Sequence, residues 1–180
     1  MMIAMIFVMI VISEASVERV AEVLTEKASL TNPENAVTTI ENGDIEFRNV
    51  QFKYNLLSEE ADLDNINLTI RSGETIGIIG GTGSGKSTLI QLIPRLYDTT
   101  EGEVYVSGRN VKEYDLVTLR DQIAMVLQKN VLFSGTISEN LRWGDQTASD
   151  EEIKRVAELA QADSFVEAFP DGYETQLDQG

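Results

Sequence analysis

The sequence predicts an α/β fold, antiparallel in its first part and built around one glycine-rich strand–loop–helix unit. Three observations lead there. TIGII, Thr75 to Ile79, runs without polar alternation, as in a strand buried on both faces. GGTGSGKS, Gly80 to Ser87, follows it directly, and KSTLIQLIPRLY, Lys86 to Tyr97, is apolar on most sides and predicts a buried helix. Upstream, IEFRNVQFKY, Ile45 to Tyr54, alternates apolar and polar residues as a half-buried strand does.

The elements can be justified in chain order. MMIAMIFVMIVI, Met1 to Ile12, is apolar and uncharged over twelve residues, whereas a bilayer span takes about 20. It lacks the positive start of a signal peptide. A buried soluble helix is one reading, and the cytoplasmic end of a transmembrane helix is another. SEASVERVAEVL continues at helical spacing, with Val17, Val20, Ala21 and Leu24 on one face. LTNPENA, Leu30 to Ala36, is a polar linker. After the strand at Ile45 to Tyr54 come a polar loop and a second strand, Ile66 to Ile70. Past the glycine-rich unit, where Pro94 loosens the last helical turn, Glu103 to Val106 is a strand ending in the turn SGRN. Leu116 to Gln122 is a short helix with Asp115 as its cap. IAMVL, Ile123 to Leu127, is another buried strand. Ser149 and Glu152 have the spacing of a capping box, ahead of a helix whose face is Ile153, Val156, Ala157 and Ala160. Trp143, the single tryptophan, reads as a packing residue.

Composition narrows the function. The chain has 180 residues, 42% hydrophobic and 24% charged, which suits one globular domain with a real core. A net charge of −16 argues against a nucleic-acid partner, which needs clustered Lys and Arg. With no Cys and no His, there is no disulfide framework, no thiolate metal site and no imidazole acid–base group.

Gly80-Gly81-Thr82-Gly83-Ser84-Gly85-Lys86-Ser87 matches G-x-x-x-x-G-K-[ST], a loop that cradles phosphates. Its glycines let backbone N–H groups close on the anion, and the following helix points its positive end there. Lys86 reaches the β- and γ-phosphates, Ser87 offers a hydroxyl to Mg2+, and Thr88 is placed for a phosphate oxygen. A flexible Gly/Ser turn matches by chance in roughly one chain in a hundred of this length. The strand before and the helix after are what the phosphate-binding mechanism requires. The loop alone does not choose among ATPase, GTPase and small-molecule kinase, although the Asn-Lys-x-Asp run of a guanine reader is absent.

The chain resembles a bacterial ABC exporter of the multidrug type, an ATP-binding/permease subunit. FKY puts Tyr54 where that family's A-loop stacks on adenine. GGTGSGKST is its Walker A loop. VLQKNVLFSGTISENL, Val126 to Leu141, resembles the Q-loop and its sequel, with Gln128 as the glutamine that contacts Mg2+, the attacking water and the γ-phosphate. RLYDTTEGEV and NLRWGD resemble a subgroup whose members often work as heterodimers. SEASVERVAEVL resembles the join between membrane helix and ATPase domain. Tyr54 also reads as an edge-strand aromatic, Gln128 as a polar strand end, and Phe133 either as core or as part of a groove for a coupling helix.

The resemblance implies a P-loop ABC ATPase core with an antiparallel β subdomain and the start of a helical subdomain. Residues 1–30 would be the end of a transmembrane helix and its cytoplasmic extension, 31–44 a linker, and 45–180 the N-terminal part of the nucleotide-binding domain. It implies ATP and Mg2+ as ligands, with Tyr54 and Gly80 to Thr88 holding the nucleotide, Ser87 and Gln128 the metal, and Lys86 and Gln128 acting in catalysis. Partners would be a second ABC subunit, identical or different, and the subunit's own membrane domain, at the cytoplasmic side of the plasma membrane. After Gln128 the sequence has no four apolar residues followed by an acidic pair, no Ser-Gly-Gly-Gln signature and no switch histidine. A fragment incomplete at both ends is therefore expected, poorly soluble and weak in ATPase activity, with Thr75–Ile79 and Ile123–Leu127 exposing edges and apolar faces for lack of neighbouring strands. The rival readings are a non-hydrolysing half of an asymmetric pair and a soluble P-loop ATPase or kinase.

Overall fold

Alternating side chains in three segments build the four-stranded antiparallel sheet that organises the first part of the molecule. The computed structural model describes residues 2–178, and the chain divides into two units, Met1–Ala124 and Met125–Gly180. Met1, the first residue of the apolar N-terminal run, and Gln179–Gly180, the last two of the 45–180 segment, lie outside the described residues.

Helix α1 spans Met2–Thr25 and carries the helical spacing read from SEASVERVAEVL. Its Val17, Val20 and Leu24 are exposed. Among the described residues, no helix is long and apolar enough to cross a membrane. The polar segment after α1 is pinned by hydrogen bonds. Val37 N–H donates to Glu113 O at 2.8 Å, and Asp115 N–H donates to Val37 O at 3.0 Å, closing a one-residue parallel bridge between Val37 and Tyr114.

The sheet has the order β2-β1-β3-β4, from β1 (Ile45–Phe52), β2 (Leu63–Ile70), β3 (Glu101–Val106) and β4 (Arg109–Asn110). Ile45 faces Ile70 on one side and Val106 on the other, and Phe47 faces Leu68 and Val104. The inward face then slips by one residue. Phe47, Val50 and Phe52 are all buried, a spacing of three then two, because β1 bulges at Arg48–Asn49. Asn49 has φ 48°, and Gly102 of β3 lies against the bulge with φ 71°. These side chains, with Leu63, Val104, Val106, Val111 and Leu119, form the core. Tyr114 is fully buried in it, and its hydroxyl donates to Val106 O at 2.9 Å. Burial raises that phenol above its ordinary range.

Helix α3 (Leu116–Asp121) starts at the predicted cap: Asp115 accepts from Thr118 N–H at 2.9 Å. The Asn32 side chain donates an Nδ2–H hydrogen bond to the same carboxylate, and its Oδ1 accepts from Leu116 N–H at 2.9 Å. The Thr118 backbone bond, chiefly, holds the Asp115 carboxyl below the usual Asp range. A lowered folded-state value means that this stability is present above the unfolded-state range and disappears as pH falls through the folded one. Denaturation midpoints of the chain should therefore drop on acidification below about pH 4. Asp115→Asn, which keeps a cap without a titrating group, should flatten that part of the decline when urea midpoints are compared across pH.

Two expectations are corrected. Thr75–Ile79 and Ile123–Leu127 were predicted as buried strands, but no strand among the described residues pairs with either. The strand assignment fails, whereas the exposure, 99% at Ile79 and 91% at Val126, matches the open apolar faces expected of these segments. A doubly buried strand needs ladder partners on both edges and cover on both faces. Apolar composition alone supplies neither.

The second unit is small. Strand β5 (Gly135–Thr136) pairs antiparallel with β6 (Gln176–Leu177). Helices α4 (Ile137–Leu141), α5 (Asp150–Leu159) and α6 (Asp163–Val166) complete it. Capping boxes open α4 at Thr136/Glu139 and α5 at Ser149/Glu152, the latter as predicted. Ile153 and Ala157 of the predicted face are buried, but Val156 is exposed. Trp143 packs as expected, though on the surface: it is exposed and stacks on Phe133 at 4.5 Å between ring centroids. Phe133 is also exposed, which excludes the core reading.

Candidate functional site

The glycine-rich loop leads into helix α2, Lys86–Leu92. Leu92 anchors the helix in the core at 1% exposure, and the predicted helix stops short of Pro94, whose ring cannot continue it. Gly85 sits at the N-cap with φ 79°. A Cβ there would stand 2.8 Å from Asp62 O and 2.7 Å from Leu63 Cδ2. Only glycine allows both that backbone angle and that approach, so the start of β2 presses directly on the root of the loop.

Lys86 turns its ammonium back over the loop. Nζ donates to Gly80 O at 2.8 Å, to Gly81 O at 2.6 Å and to Ser84 Oγ at 3.2 Å. The loop thus concentrates one full positive charge at the end of a helix whose first N–H groups carry partial positive charge. Thr82, Gly83 and the Ser87 hydroxyl-bearing residue are exposed, and Thr88 is buried.

Tyr54, just past β1, is brought to this helix. Its N–H donates to the Asp62 carboxylate at 2.9 Å, closing the 54–62 loop, while Asp62 N–H donates to Phe52 O at 2.9 Å. The ring makes edge contacts with Phe52 at 4.8 Å and Tyr97 at 5.1 Å between centroids. The hydroxyl lies 3.1 Å from Gln91 Oε1 and 3.3 Å from Thr88 Oγ1. Half of Tyr54 stays exposed, at 51%. An open aromatic surface therefore stands within one hydrogen bond of the phosphate-loop helix.

The structure brings together Tyr54, Gly80, Gly81, Thr82, Gly83, Ser84, Gly85, Lys86, Ser87 and Thr88 in the first unit. Gln128 belongs to the second unit, exposed in a bend. Sequence reasoning missed Asp62, Gln91 and Tyr97. The one signal in the sequence was the place of Gln91 one helical turn beyond Thr88 on the same face, which does not announce its meeting with Tyr54.

The residues fit a nucleoside triphosphate: a glycine-rooted cradle, one ammonium folded over the loop, a hydroxyl at Ser87 and an aromatic surface alongside. Among the described residues, no three His, Cys, Asp or Glu side chains converge as a metal cage. One protein hydroxyl suits Mg2+, which keeps its waters and takes its other oxygens from phosphates.

Comparison with known proteins agrees with this geometry. A family model described as ABC transporter matches residues 63–180. The YgaD protein of Bacillus subtilis, named for multidrug export as an ATP-binding/permease protein, is 42% identical over 166 residues, covering 92% of this chain and 28% of its own length. A Staphylococcus aureus protein with the same descriptive name is 46% identical over 138 residues, covering 77% of this chain and 24% of its own. Among solved structures, a bacterial Atm1-family ABC exporter with ATP bound superposes with a TM-score of 0.83 at 27% identity, over 94% of this chain and 29% of that one. The chain thus spans about a quarter of the length of the curated relatives it matches.

Proposed function

The chain belongs to the ABC transporter family, and on that premise we propose that it is the ATP-binding part of an exporter that couples ATP binding and hydrolysis to efflux of small molecules, drugs or lipids, across a membrane. The observation that carries this reading is the exposed Tyr54 ring, hydrogen-bonded to the helix that begins at Lys86. A base and a triphosphate need those two surfaces side by side.

In this reading Tyr54 stacks on adenine. The backbone of Gly80 to Thr88 takes the phosphates, with Lys86 on the outer two. Ser87 and Gln128 serve Mg2+, and Gln128 also senses the γ-phosphate and orients water. Residues 45–180 are nucleotide-binding domain, joined through 31–44 to the helical extension before it. ATP supplies the free energy of its terminal phosphoanhydride. The chain's own part is to bind, orient and exclude water. A second subunit of the same kind, identical or different, and a membrane domain on whose cytoplasmic face this part sits would complete the machine. The relatives' names, which join ATP binding to a permease, support the membrane domain in that assembly.

Binding is the direct test. In titration calorimetry with Mg2+ present, the chain should bind ATP at least about tenfold more tightly than AMP, because charge-assisted bonds to the outer phosphates contribute about 1.5–3 kcal/mol. Equal affinities would remove the triphosphate reading.

A further inference from the structure

Gln91 is the one polar side chain of α2 past Thr88, and it is half-buried. Its amide oxygen lies 3.1 Å from the Tyr54 hydroxyl, across 37 residues of sequence. The Thr88 hydroxyl, 3.3 Å away, completes the phenol's partners. A phenol has one proton and accepts through its oxygen. Donating to Gln91 and accepting from Thr88 satisfies it in both roles. The remaining contacts of the ring are edge contacts to Phe52 and Tyr97. These set the rotation of the ring plane about Cβ–Cγ, at interplanar angles of 87° and 89°. The hydroxyl lies on that axis, so its partners fix where the far end of the ring points, the swing about Cα–Cβ. Thr88 is buried on the loop's helix and Gln91 sits one turn further on, so together they fix the phenol against that helix.

We infer that Gln91 is a positioning residue for base recognition: it accepts the hydrogen bond of the Tyr54 hydroxyl and thereby holds the far end of the aromatic platform at a set distance from the phosphate-loop helix. This rests on the ATP reading above and adds to it a residue that touches neither base nor phosphate. Its contribution is confined to the base-dependent part of affinity. The triphosphate is held by Lys86 and the loop backbone, and the hydrogen bond of the Gln91 side chain goes to Tyr54 instead.

The test compares ATP with inorganic tripolyphosphate, which presents the same kind of anion without a base. The change in the ratio of the two dissociation constants between wild type and variant, measured by calorimetry on the full chain, reports the platform, because the sugar and the difference in anion charge are common to both. Gln91→Leu keeps similar bulk and removes the acceptor. It should lower the preference for ATP by about threefold to tenfold, the worth of one net hydrogen bond, while tripolyphosphate affinity is unchanged. Tyr54→Phe should lower the same ratio to a similar extent, and the double variant should lose no more than either alone. Gln91→Glu retains an acceptor and should restore the ratio. A merely structural role for Gln91 predicts parallel losses for both ligands and no rescue, and that result overturns the inference. So does a wild-type ratio of one. A wild-type chain that binds neither compound removes the ATP reading itself, a distinguishable outcome that takes this inference with it.

Discussion

Replacing Lys86 with alanine should cost the chain about 10- to 150-fold in ATP affinity while leaving its fold intact. The ammonium is the only full positive charge that the structure places within the loop, and it donates to Gly80 O, Gly81 O and Ser84 Oγ. Charge-assisted hydrogen bonds contribute about 1.5–3 kcal/mol each, which converts to the stated range for one lost bond to phosphate. Loss of Nζ releases two carbonyls, but these lie in an exposed loop where water can replace the donor. The thermal midpoint followed by circular dichroism should therefore stay within the small range typical of surface changes, about 0.5 kcal/mol. The opposite pattern, ATP affinity retained and stability lost, would make Lys86 a structural clasp and remove the central support for nucleotide binding.

Gly102→Ala should be the most damaging single methyl in the first unit. A Cβ at Gly102 would stand 2.2 Å from Asn49 O and 2.4 Å from Arg48 O, both backbone atoms of the β1 bulge that no rotamer change can move. The residue also holds φ 71°. Strain of that kind costs about 1–3 kcal/mol, and overpacking about 1–3 kcal/mol more. The sum, about 2–6 kcal/mol, is a large share of the stability of an ordinary domain. Gly108 provides the control. It has φ 75° but nothing within 4 Å of its would-be Cβ, so Gly108→Ala should show the backbone strain alone. Urea midpoints that move equally for the two variants would mean that the bulge relaxes freely and the clash has no energetic consequence.

How much of this could be read in the residues beforehand depended on how local the cause was. Asp115 and Ser149 announce their helices because a cap is satisfied within three residues. The loop from Gly80 to Ser87 is legible for the same reason, since its chemistry lies in one continuous stretch. The β1 bulge was also present in the sequence. In IEFRNVQF the apolar positions Ile45 and Phe47 change phase before Val50 and Phe52, and an unbroken alternation misses that slip. TIGII and IAMVL misled because their apolar character states a need for neighbours without showing where those neighbours are. The Tyr54–Gln91 contact was illegible for a different reason. A helix and a strand end must first be brought together before a phenol and an amide 37 residues apart can meet.

The inward fold of Lys86 has a consequence for which anions the loop accepts. An incoming ligand must outbid two peptide oxygens and a serine for the same cation. Chloride, acetate and other singly charged ions offer too little field to win that exchange from bulk water. A chain of adjacent phosphates offers several charges at once. The loop should therefore ignore the abundant small salts of a cell and respond to polyanions, a discrimination that comes from the lysine's own intramolecular bonds.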